Sequence, residues 1–150
     1  MSNKPIVRNR KAWHEYEIME KFEAGIALVG TEVKSVREGK VKITEAFCSI
    51  DDNLQMDLME LEISPYAFGN IHNHQPRRKR KLLMHKREIL RLLSKVKEKG
   101  LTLIPLSMYF KNGKVKVEVA LARGKKLHDK RSALKDKDAK REIDRALKNG

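Results

Sequence analysis

The strongest constraint on the fold is a hairpin signal, Asn112-Gly113, between two apolar segments. Asn-Gly is favoured in two-residue type I′ turns, because both central residues there adopt positive φ. The odd-numbered residues of Val115–Leu121 are apolar and alternate with mostly polar ones. This period of two predicts strands at Leu101–Phe110 and Lys114–Ala122. Pro105 cannot donate to a strand ladder, so we expect its strand to be an edge or bulged there.

The clearest helix signal covers His85–Lys99. Four apolar residues recur there at i, i+3, i+4 and i+7, starting from Ile89, which defines one face of an α-helix. Gly100 follows and suits a helix end. A second helix of at most two turns is predicted between an N-cap at Thr31 and Gly39.

Four more strands are predicted ahead of the long helix, followed by a loop. His14, Tyr16, Ile18 and Phe22 fall on one face at a period of two, interrupted by Glu20. In the fourth strand the apolar face shifts by one residue after Leu58, which a β-bulge would produce. The predicted strands are His14–Phe22, Gly25–Gly30, Thr44–Ile50 and Leu54–Ile63, the last two forming a hairpin around Asp51-Asp52-Asn53; Ser64–Arg80 is the predicted loop.

This order of elements predicts the fold class. Five or six short strands, with one helix before the last hairpin, fit a mainly β fold with short helices, namely a partly open β-barrel of the OB type. An α+β sandwich is the alternative.

The C-terminal segment differs in composition from the rest of the chain. The formal net charge is +14, and the last 28 residues, Arg123–Gly150, carry eleven Lys/Arg against five Asp/Glu with few apolar residues. Such a segment cannot offset its own ordering entropy. We therefore expect two parts, a folded body over residues 1–123 and a basic tail over residues 124–150 that is disordered when free.

The tail also contains a weak helical pattern. Ala139, Ile143, Ala146 and Leu147 recur at helical spacing. Asp136 and Asp144 each precede a lysine by four residues, in the favourable orientation for a helix. The tail is thus expected to become helical on a partner, while a helix alone in water would be marginal. A membrane-surface helix and a merely solubilising tail are the alternatives.

Composition restricts the compartment and the partner. Both parts of the chain are basic, which favours a polyanion, with nucleic acid ahead of an anionic membrane. The single cysteine, Cys48, excludes an internal disulfide and suits a reducing compartment. No apolar run reaches the roughly 20 residues of a membrane span, and the N-terminus lacks a signal-peptide apolar region. We expect a cytoplasmic protein.

A basic run, Arg77–Lys81, lies in a window from Ile63 to Arg87 that contains no acidic residue. It predicts a patch that contacts phosphates, although a solvated loop is the alternative. Lys114 and Lys116 on the last hairpin could track a nucleic acid, or could be ordinary solvent-facing lysines. Aromatic residues are scarce, so recognition of folded RNA by shape is favoured over stacking on a run of unpaired bases.

Signals for catalysis or metal binding are weak. His72 and His74 could be two metal ligands, but no Cys or carboxylate cluster completes a site. No paired carboxylates, Gly-rich phosphate loop or nucleophile motif is present in the sequence. We expect neither enzymatic activity nor a cofactor.

Short motifs along nearly the whole chain resemble those of the SsrA-binding protein (small protein B) family, the bacterial partner of transfer-messenger RNA. Each motif is weak alone, but their order and spacing are specific. Met84 stands where the family usually has Leu, and Asp52-Asn53 stands where it often has Gly. The matching motifs are Asn9-Arg10 with Ala12, His14 and Tyr16; Glu23-Ala-Gly25; Gly30-Thr-Glu-Val-Lys-Ser35; Ile63-Ser-Pro65; Arg80-Lys-Leu-Leu83; Gly100-Leu-Thr-Leu-Ile-Pro105; Gly124-Lys-Lys126; and Asp129-Lys-Arg131.

The resemblance implies a function and its partners. It implies binding to the tRNA-like domain of transfer-messenger RNA and rescue of stalled ribosomes by trans-translation. The body would replace a missing anticodon arm, and the tail would fold in the decoding region and the empty mRNA path of the 70S ribosome. We expect a monomer with no membrane partner.

Site residues follow from the same resemblance, position by position. Glu23 is the one that charge alone would not suggest; its carboxylate would accept hydrogen bonds from base or ribose donors. His128 could stack on a decoding-centre base or be an exposed linker residue. The implied RNA-binding residues are Asn9, Arg10, His14, Glu23, Arg78, Arg80, Lys81, Leu83 and Lys116, and the implied ribosome-facing residues are Gly124, Lys125, Lys126, His128, Asp129, Lys130 and Arg131.

Without the resemblance, three classes of protein remain open. They are a structural RNA-binding or ribosomal protein, a nuclease, and a membrane-surface protein. RNA cleavage that survives repurification would support the second class, and liposome binding at physiological salt would support the third.

Overall fold

The computed structural model describes residues 5–69 and 73–125. Nine strands and three helices lie in these two ranges. The strands are β1 (Pro5–Arg8), β2 (Tyr16–Ile26), β3 (Val41–Lys42), β4 (Phe47–Ile50), β5 (Met56–Met59), β6 (Glu62–Ile63), β7 (Arg80–Leu83), β8 (Thr102–Lys111) and β9 (Lys114–Gly124); the helices are α1 (Arg10–Glu15), α2 (Gly30–Arg37) and α3 (Lys86–Lys99).

Seven strands form one antiparallel sheet in the order β1-β8-β9-β2-β7-β5-β4, and β3 pairs with β6 in a second sheet. The larger sheet curves, so that β4 at one end approaches β8 near the other. Within the described residues the sheet stays open and does not close into a barrel. The predicted mainly β, partly open fold with short helices is confirmed.

The terminal hairpin forms as predicted. Asn112 and Gly113 have φ of 53° and 76°, and β8 pairs with β9 from Lys111↔Lys114 outward. The register shifts between Pro105 and Ser107, so Pro105 lies at a bulge and not on an edge strand. β9 also pairs with β2 along almost its whole length, which places the hairpin at the centre of the sheet.

The first predicted strand needs two corrections. His14 belongs to α1, and β2 begins at Tyr16. A register shift between Ile18 and Glu20 inserts one extra residue, so Tyr16 and Ile18 pack on the opposite side of the sheet from Phe22. The predicted separate strand Gly25–Gly30 is also wrong, because Gly25 and Ile26 continue β2 and Gly30 opens α2.

The phase shift after Leu58 marks a change of sheet and not a bulge. β4 and β5 form the predicted hairpin, but Glu60 has a φ of 58° and the ladder ends there. The chain then enters β6, which pairs with β3. A left-handed residue breaks strand continuity, so the predicted strand Leu54–Ile63 is two short strands. The predicted loop ends one residue early, since Arg80 begins β7.

The helices follow the sequence pattern with one change at an N-terminus. α3 ends at Gly100, whose φ is 62°, and buries Ile89 and Leu92. α2 has the predicted length, but Val29 and not Thr31 is its N-cap residue. The Glu32 carboxylate accepts from the Val29 amide at 2.9 Å, which satisfies a donor that the helix leaves unpaired. In the described residues no helix is long and apolar enough to cross a membrane.

Two apolar clusters lie on the two faces of the large sheet. The inner face packs into the main core, which includes Leu58, Leu82 and Val117 together with the buried side of α3. The outer face is the opposite one. At one end it is covered by α1, and the small cluster there contains Ala12, Ile104, Leu106, Ala120 and Ala122. Beyond this cluster the outer face carries polar side chains, among them Glu23, Lys116 and Glu118, together with the exposed Leu83.

A buried carboxylate, Glu32, joins α2 to the rest of the fold. Arg80 Nε donates to it at 2.6 Å, and Arg78 donates through Nη2 at 2.6 Å and Nε at 2.9 Å. Arg80 is fully buried, and its other donors reach the Leu61 and Pro76 carbonyls at 2.7 and 3.0 Å. This network fixes α2, β7 and the segment before β6 against one another.

The charges of this network determine the ionisation of Glu32. Burial by itself would raise the pKa of Glu32. Hydrogen bonds from Arg78 and the Val29 amide, and the charge of Arg80, outweigh burial, so the pKa lies below its ordinary value of 4.5. Glu32 is therefore ionised in the folded protein at neutral pH.

Removing Glu32 should destabilise the fold far more than removing a surface carboxylate. Glu32→Ala leaves Arg80 buried without its counter-charge, a change that costs about 3–5 kcal/mol. The control is Glu62→Ala, which breaks the surface pair with Arg77 and should cost less than about 1 kcal/mol. Urea unfolding measures both; equal losses would contradict a central role for Glu32.

The lowered pKa of Glu32 also predicts a pH dependence. A carboxyl with a depressed folded pKa contributes stability above its unfolded pKa, and this contribution is lost as pH falls through the folded value. The wild-type chain should therefore lose stability below about pH 4.5 more steeply than Glu32→Gln. Unfolding free energies from pH 7 to pH 3 check this, and parallel profiles for the two proteins would refute it.

Candidate nucleic-acid interface

The basic run Arg77–Lys81 is mostly committed to internal ion pairs. Arg78 and Arg80 hold Glu32, and Arg77 pairs with Glu62 at 2.9 Å and Glu60 at 3.3 Å. Lys79 and Lys81 are exposed and make no ion pair within the described part of the chain. A bound phosphate would thus find two free lysines here and not five free cations.

A row of in-register residues crosses four strands on the outer face. Leu83 of β7 lies opposite Gly25 of β2, Gly25 opposite Lys116 of β9, and Lys116 opposite Tyr109 of β8. Residues directly opposite each other share a face of the sheet. This row, which we call the first row, is the set Leu83, Gly25, Lys116 and Tyr109.

Gly25 shapes the first row through its missing side chain. A Cβ at this position would lie 3.3 Å from the Leu83 Cβ, closer than ordinary contact. Leu83 therefore lies over the glycine, with 52% of its surface exposed. A shallow groove of about 300 Å³ runs beside it, lined in part by Lys114 and Lys116.

A second row lies next to the first and carries the carboxylate that the resemblance singled out. Glu23 of β2 is opposite Glu118 of β9, Glu118 opposite Ser107 of β8, and Ser107 opposite Arg8 of β1. These four residues are the second row. The outer face thus presents acids, bases, a hydroxyl and an exposed leucine side by side.

Hydrogen bonds within the outer face orient Glu23. The Tyr109 hydroxyl donates to Glu23 Oε2 at 2.6 Å, and Lys111 Nζ lies 3.3 Å from each carboxylate oxygen. These donors, Tyr109 above all, lower the pKa of Glu23. Burial and the Glu23 charge raise the pKa of Tyr109. Glu23 is therefore an ionised acceptor held in one position, with 38% of its side chain still exposed.

The three candidate residues near α1 fall into two kinds. Asn9 is buried: its Oδ1 accepts from the Ala12 amide at 3.1 Å and its Nδ2 donates to the Pro105 carbonyl at 2.9 Å. It caps α1 and attaches the helix to β8. Arg10 and His14 are exposed on the same helix and are available to a ligand.

The start of the tail is attached to α1. Gly124 ends β9 opposite Tyr16, and Lys125 then donates its amide to the Glu15 carbonyl at 3.0 Å. Lys125 Nζ also donates to the Trp13 carbonyl at 2.9 Å. The remaining candidates of the tail lie outside the described residues; they are Lys126, His128, Asp129, Lys130 and Arg131.

The histidine considered as a metal ligand has other partners. His74 Nδ1 is 2.8 Å from the Thr31 hydroxyl, and Nε2 is 2.9 Å from the Ile63 carbonyl oxygen. His72 lies outside the described residues, within which no group of three metal-binding side chains occurs.

Apart from Arg10 and His14, the candidate residues of the body fall into two groups in the structure. One group lies on neighbouring strands and consists of Glu23, Leu83, Lys116 and Lys81. The other group is buried or half-buried and supports the fold; it consists of Asn9, Arg78 and Arg80.

The sequence analysis missed Tyr109, although the sequence contains a signal for it. A two-residue turn at Asn112-Gly113 sets the hairpin register, and counting outward from it places Tyr109 opposite Lys116.

Comparison with known proteins gives one consistent family. The family model described as "SmpB protein" matches residues 6–149 of the chain. The SsrA-binding protein of Pelotomaculum thermopropionicum is 55% identical to this chain, and the match covers 99% of this chain and 96% of that protein. That of Carboxydothermus hydrogenoformans is 56% identical, with 97% of each chain covered.

A solved structure agrees with these sequence matches. A chain from the structure described as "tmRNA-SmpB: a journey to the center of the bacterial ribosome" is 55% identical, with a TM-score of 0.67. The match covers 81% of this chain and 85% of the other. The family model and the relatives both span nearly the full length, and the chain therefore belongs to the SmpB protein family, the SsrA-binding proteins.

Proposed function

We propose that the chain binds the tRNA-like domain of transfer-messenger RNA through the outer face of its sheet and delivers that RNA to stalled ribosomes for trans-translation. The observation that carries the proposal is the ionised Glu23, held by Tyr109 and Lys111 beside the first row. Membership of a family whose members are named for SsrA binding supports the choice of RNA.

The chemistry of the outer face suits a folded RNA loop better than a uniform phosphate backbone. A phosphate surface would favour cations throughout, and carboxylates would repel it. A carboxylate can instead accept hydrogen bonds from base N–H and ribose 2′-hydroxyl groups. Lys116 and Lys81 would contact neighbouring phosphates, while the exposed Leu83 would pack against a base or sugar.

The supporting residues act through the fold in this proposal. Arg78 and Arg80 would position β7, and with it Lys81 and Leu83, by holding Glu32. Asn9 would position Arg10 and His14 by capping α1. Substituting these supporting residues would therefore weaken RNA binding together with stability.

The proposal divides the chain into an RNA-binding body, residues 1–123, and a ribosome-binding tail, residues 124–150. The outer-face residues all precede the tail. Lys125 attaches the start of the tail to α1, so an RNA-bound body would direct the tail along a defined path. The decoding region and the mRNA path, which are lined with RNA, would supply the opposite charge for Lys126, His128, Lys130 and Arg131. The protein would act as a cytoplasmic monomer, without catalysis or a cofactor.

Replacing Glu23 distinguishes a specific hydrogen bond to the RNA from simple charge attraction. Glu23→Ala should weaken binding to a transcript of the tRNA-like domain about tenfold or more, because a hydrogen bond to a charged group is lost. The control is Glu17→Ala, which removes the same charge from the same strand and should bind as well as wild type or slightly better. Filter binding measures both, and equal or tighter binding by folded Glu23→Ala would reject the contact.

Replacing three tail residues separates RNA binding from action on the ribosome. Changing Asp129, Lys130 and Arg131 to Ala should leave affinity for the isolated RNA unchanged and abolish tagging on stalled ribosomes. The matched control changes Asp138, Lys140 and Arg141 to Ala, which removes the same charges and keeps helix propensity, and it should retain most tagging. Tagging in a reconstituted translation reaction is the measurement; normal tagging by the first variant would disprove the assigned role.

A further inference from the structure

A groove lies where α1 meets the uncovered part of the outer face. Its volume is about 460 Å³, and its lining includes Arg8, Arg10, Trp13, Leu106, Ser107 and Glu118. This size is within the range of small-ligand sites in proteins. Three of these residues, Arg8, Ser107 and Glu118, belong to the second row, and two more lie on α1. The groove therefore continues the proposed RNA face at the end distant from Leu83.

The side chain of Trp13 is the most unusual part of this groove. Trp13 is the only tryptophan of the chain, and 44% of its surface is exposed. Lys21 Nζ lies 4.7 Å from the ring centroid, which places a cation on the indole. A large aromatic side chain left exposed beside cations is a platform for a nucleic-acid base, since base–aromatic stacking is favourable with every base.

The charged groups of the groove complement a nucleotide. Arg8 and Arg10 are exposed and make no ion pair with any described residue, so both are free to bind a phosphate. Glu118 and Ser107 are opposite each other on the sheet and offer acceptors and a donor for the edge of a base. Three cations around one carboxylate leave the groove positive.

We propose that this groove binds one unpaired nucleotide of the RNA held by the outer face, with the base stacked on Trp13 and its phosphate bound by Arg8 and Arg10. The inference rests on the proposed function, because the same RNA must occupy both rows. Glu118 faces Glu23 across β9 and β2, so the groove is one strand away from the Glu23 contact. Trp13 is the one aromatic residue that lines the groove, which accounts for one nucleotide and not for a longer unpaired run.

The tail is a poor alternative occupant. It begins next to the groove, at Lys125. It is rich in lysine and arginine, however, and like charges would repel it from Arg8, Arg10 and Lys21.

Intrinsic fluorescence of the full-length chain tests the groove directly, because all tryptophan emission comes from Trp13. Adding the tRNA-like domain transcript should change that emission at the same RNA concentrations at which filter binding detects the complex. Trp13→Ala should weaken binding roughly five- to a hundredfold. Trp13→Phe keeps a stacking ring and should recover most of the affinity. Circular dichroism of both variants checks that they are folded.

Two substitutions on neighbouring elements, Arg8→Ala on β1 and Lys11→Ala on α1, test the phosphate contact. Arg8→Ala should weaken binding and reduce the slope of log affinity against log salt by about one phosphate contact. The matched control is Lys11→Ala on α1, which removes the same charge but lines a different groove and pairs with Glu45. It should change affinity and slope less than Arg8→Ala, and equal changes would overturn the phosphate contact.

The outcomes distinguish this inference from the proposed function. If wild type binds the RNA with unchanged Trp13 emission, or Trp13→Ala binds as tightly as wild type, the groove proposal is wrong while the proposed function stands. Weaker binding by Trp13→Ala without an emission change in wild type would mean a structural role, and it would also overturn the groove. Failure of wild type to bind the transcript at all would overturn both.

Discussion

The ion pair between Glu32 and Arg80 is the interaction on which the positions of the other elements depend. Both side chains are fully buried, and a buried charge is tolerated only when it is paired and hydrogen-bonded. Glu32 has donors from Val29, Arg78 and Arg80, and Arg80 also donates to the chain before β6. One carboxylate therefore links the start of α2, the start of β7 and, through Arg80, the short segment between β5 and β6. Because β7 carries Lys81 and Leu83, this buried pair also helps to position these two side chains on the outer face.

The same pair explains why a run of basic residues is a poor guide to binding. Arg78 and Arg80 lie 46 and 48 residues along the chain from Glu32, so the sequence shows clustered cations while their counter-charge is distant. Guanidinium groups suit buried pairing because their donors are fixed in a planar fork. Lys81 and Lys116, which make no ion pair with a described residue, are distant from each other in sequence and share the outer face only because the sheet brings β7 and β9 close together. Net charge attracts an RNA non-specifically, whereas the cross-strand arrangement decides which RNA features can be contacted.

A structural feature could be predicted from the sequence when one or two neighbouring residues determine it. Asn112-Gly113 and Gly100 impose positive φ at single positions, and both the hairpin and the end of α3 were predicted correctly. The register shift after Ile18 and the break at Glu60 arise from packing against distant strands, so the face of Phe22 and the division of Leu54–Ile63 were predicted wrongly. Strand β1 and helix α1 are short and depend on contacts such as Asn9 with Pro105, 96 residues away. The candidate RNA-binding residues could be chosen one by one only from the resemblance, since composition gives no reason to choose Glu23, and their role stays a prediction.

Helix α1 connects the outer face of the sheet to the residue that follows β9, Lys125. Its buried Ala12 lies on the small cluster of the outer face, its Trp13 and Arg10 line the groove at the end of the second row, and its last carbonyls accept from Lys125. A helix of six residues is too short to be stable alone, so its placement comes from Asn9 and the sheet beneath it. Any RNA contact that fixes α1 would therefore also fix Lys125. The hydrogen bonds from Lys125 thus link the end of β9 to the element that the RNA would cover under the proposed function.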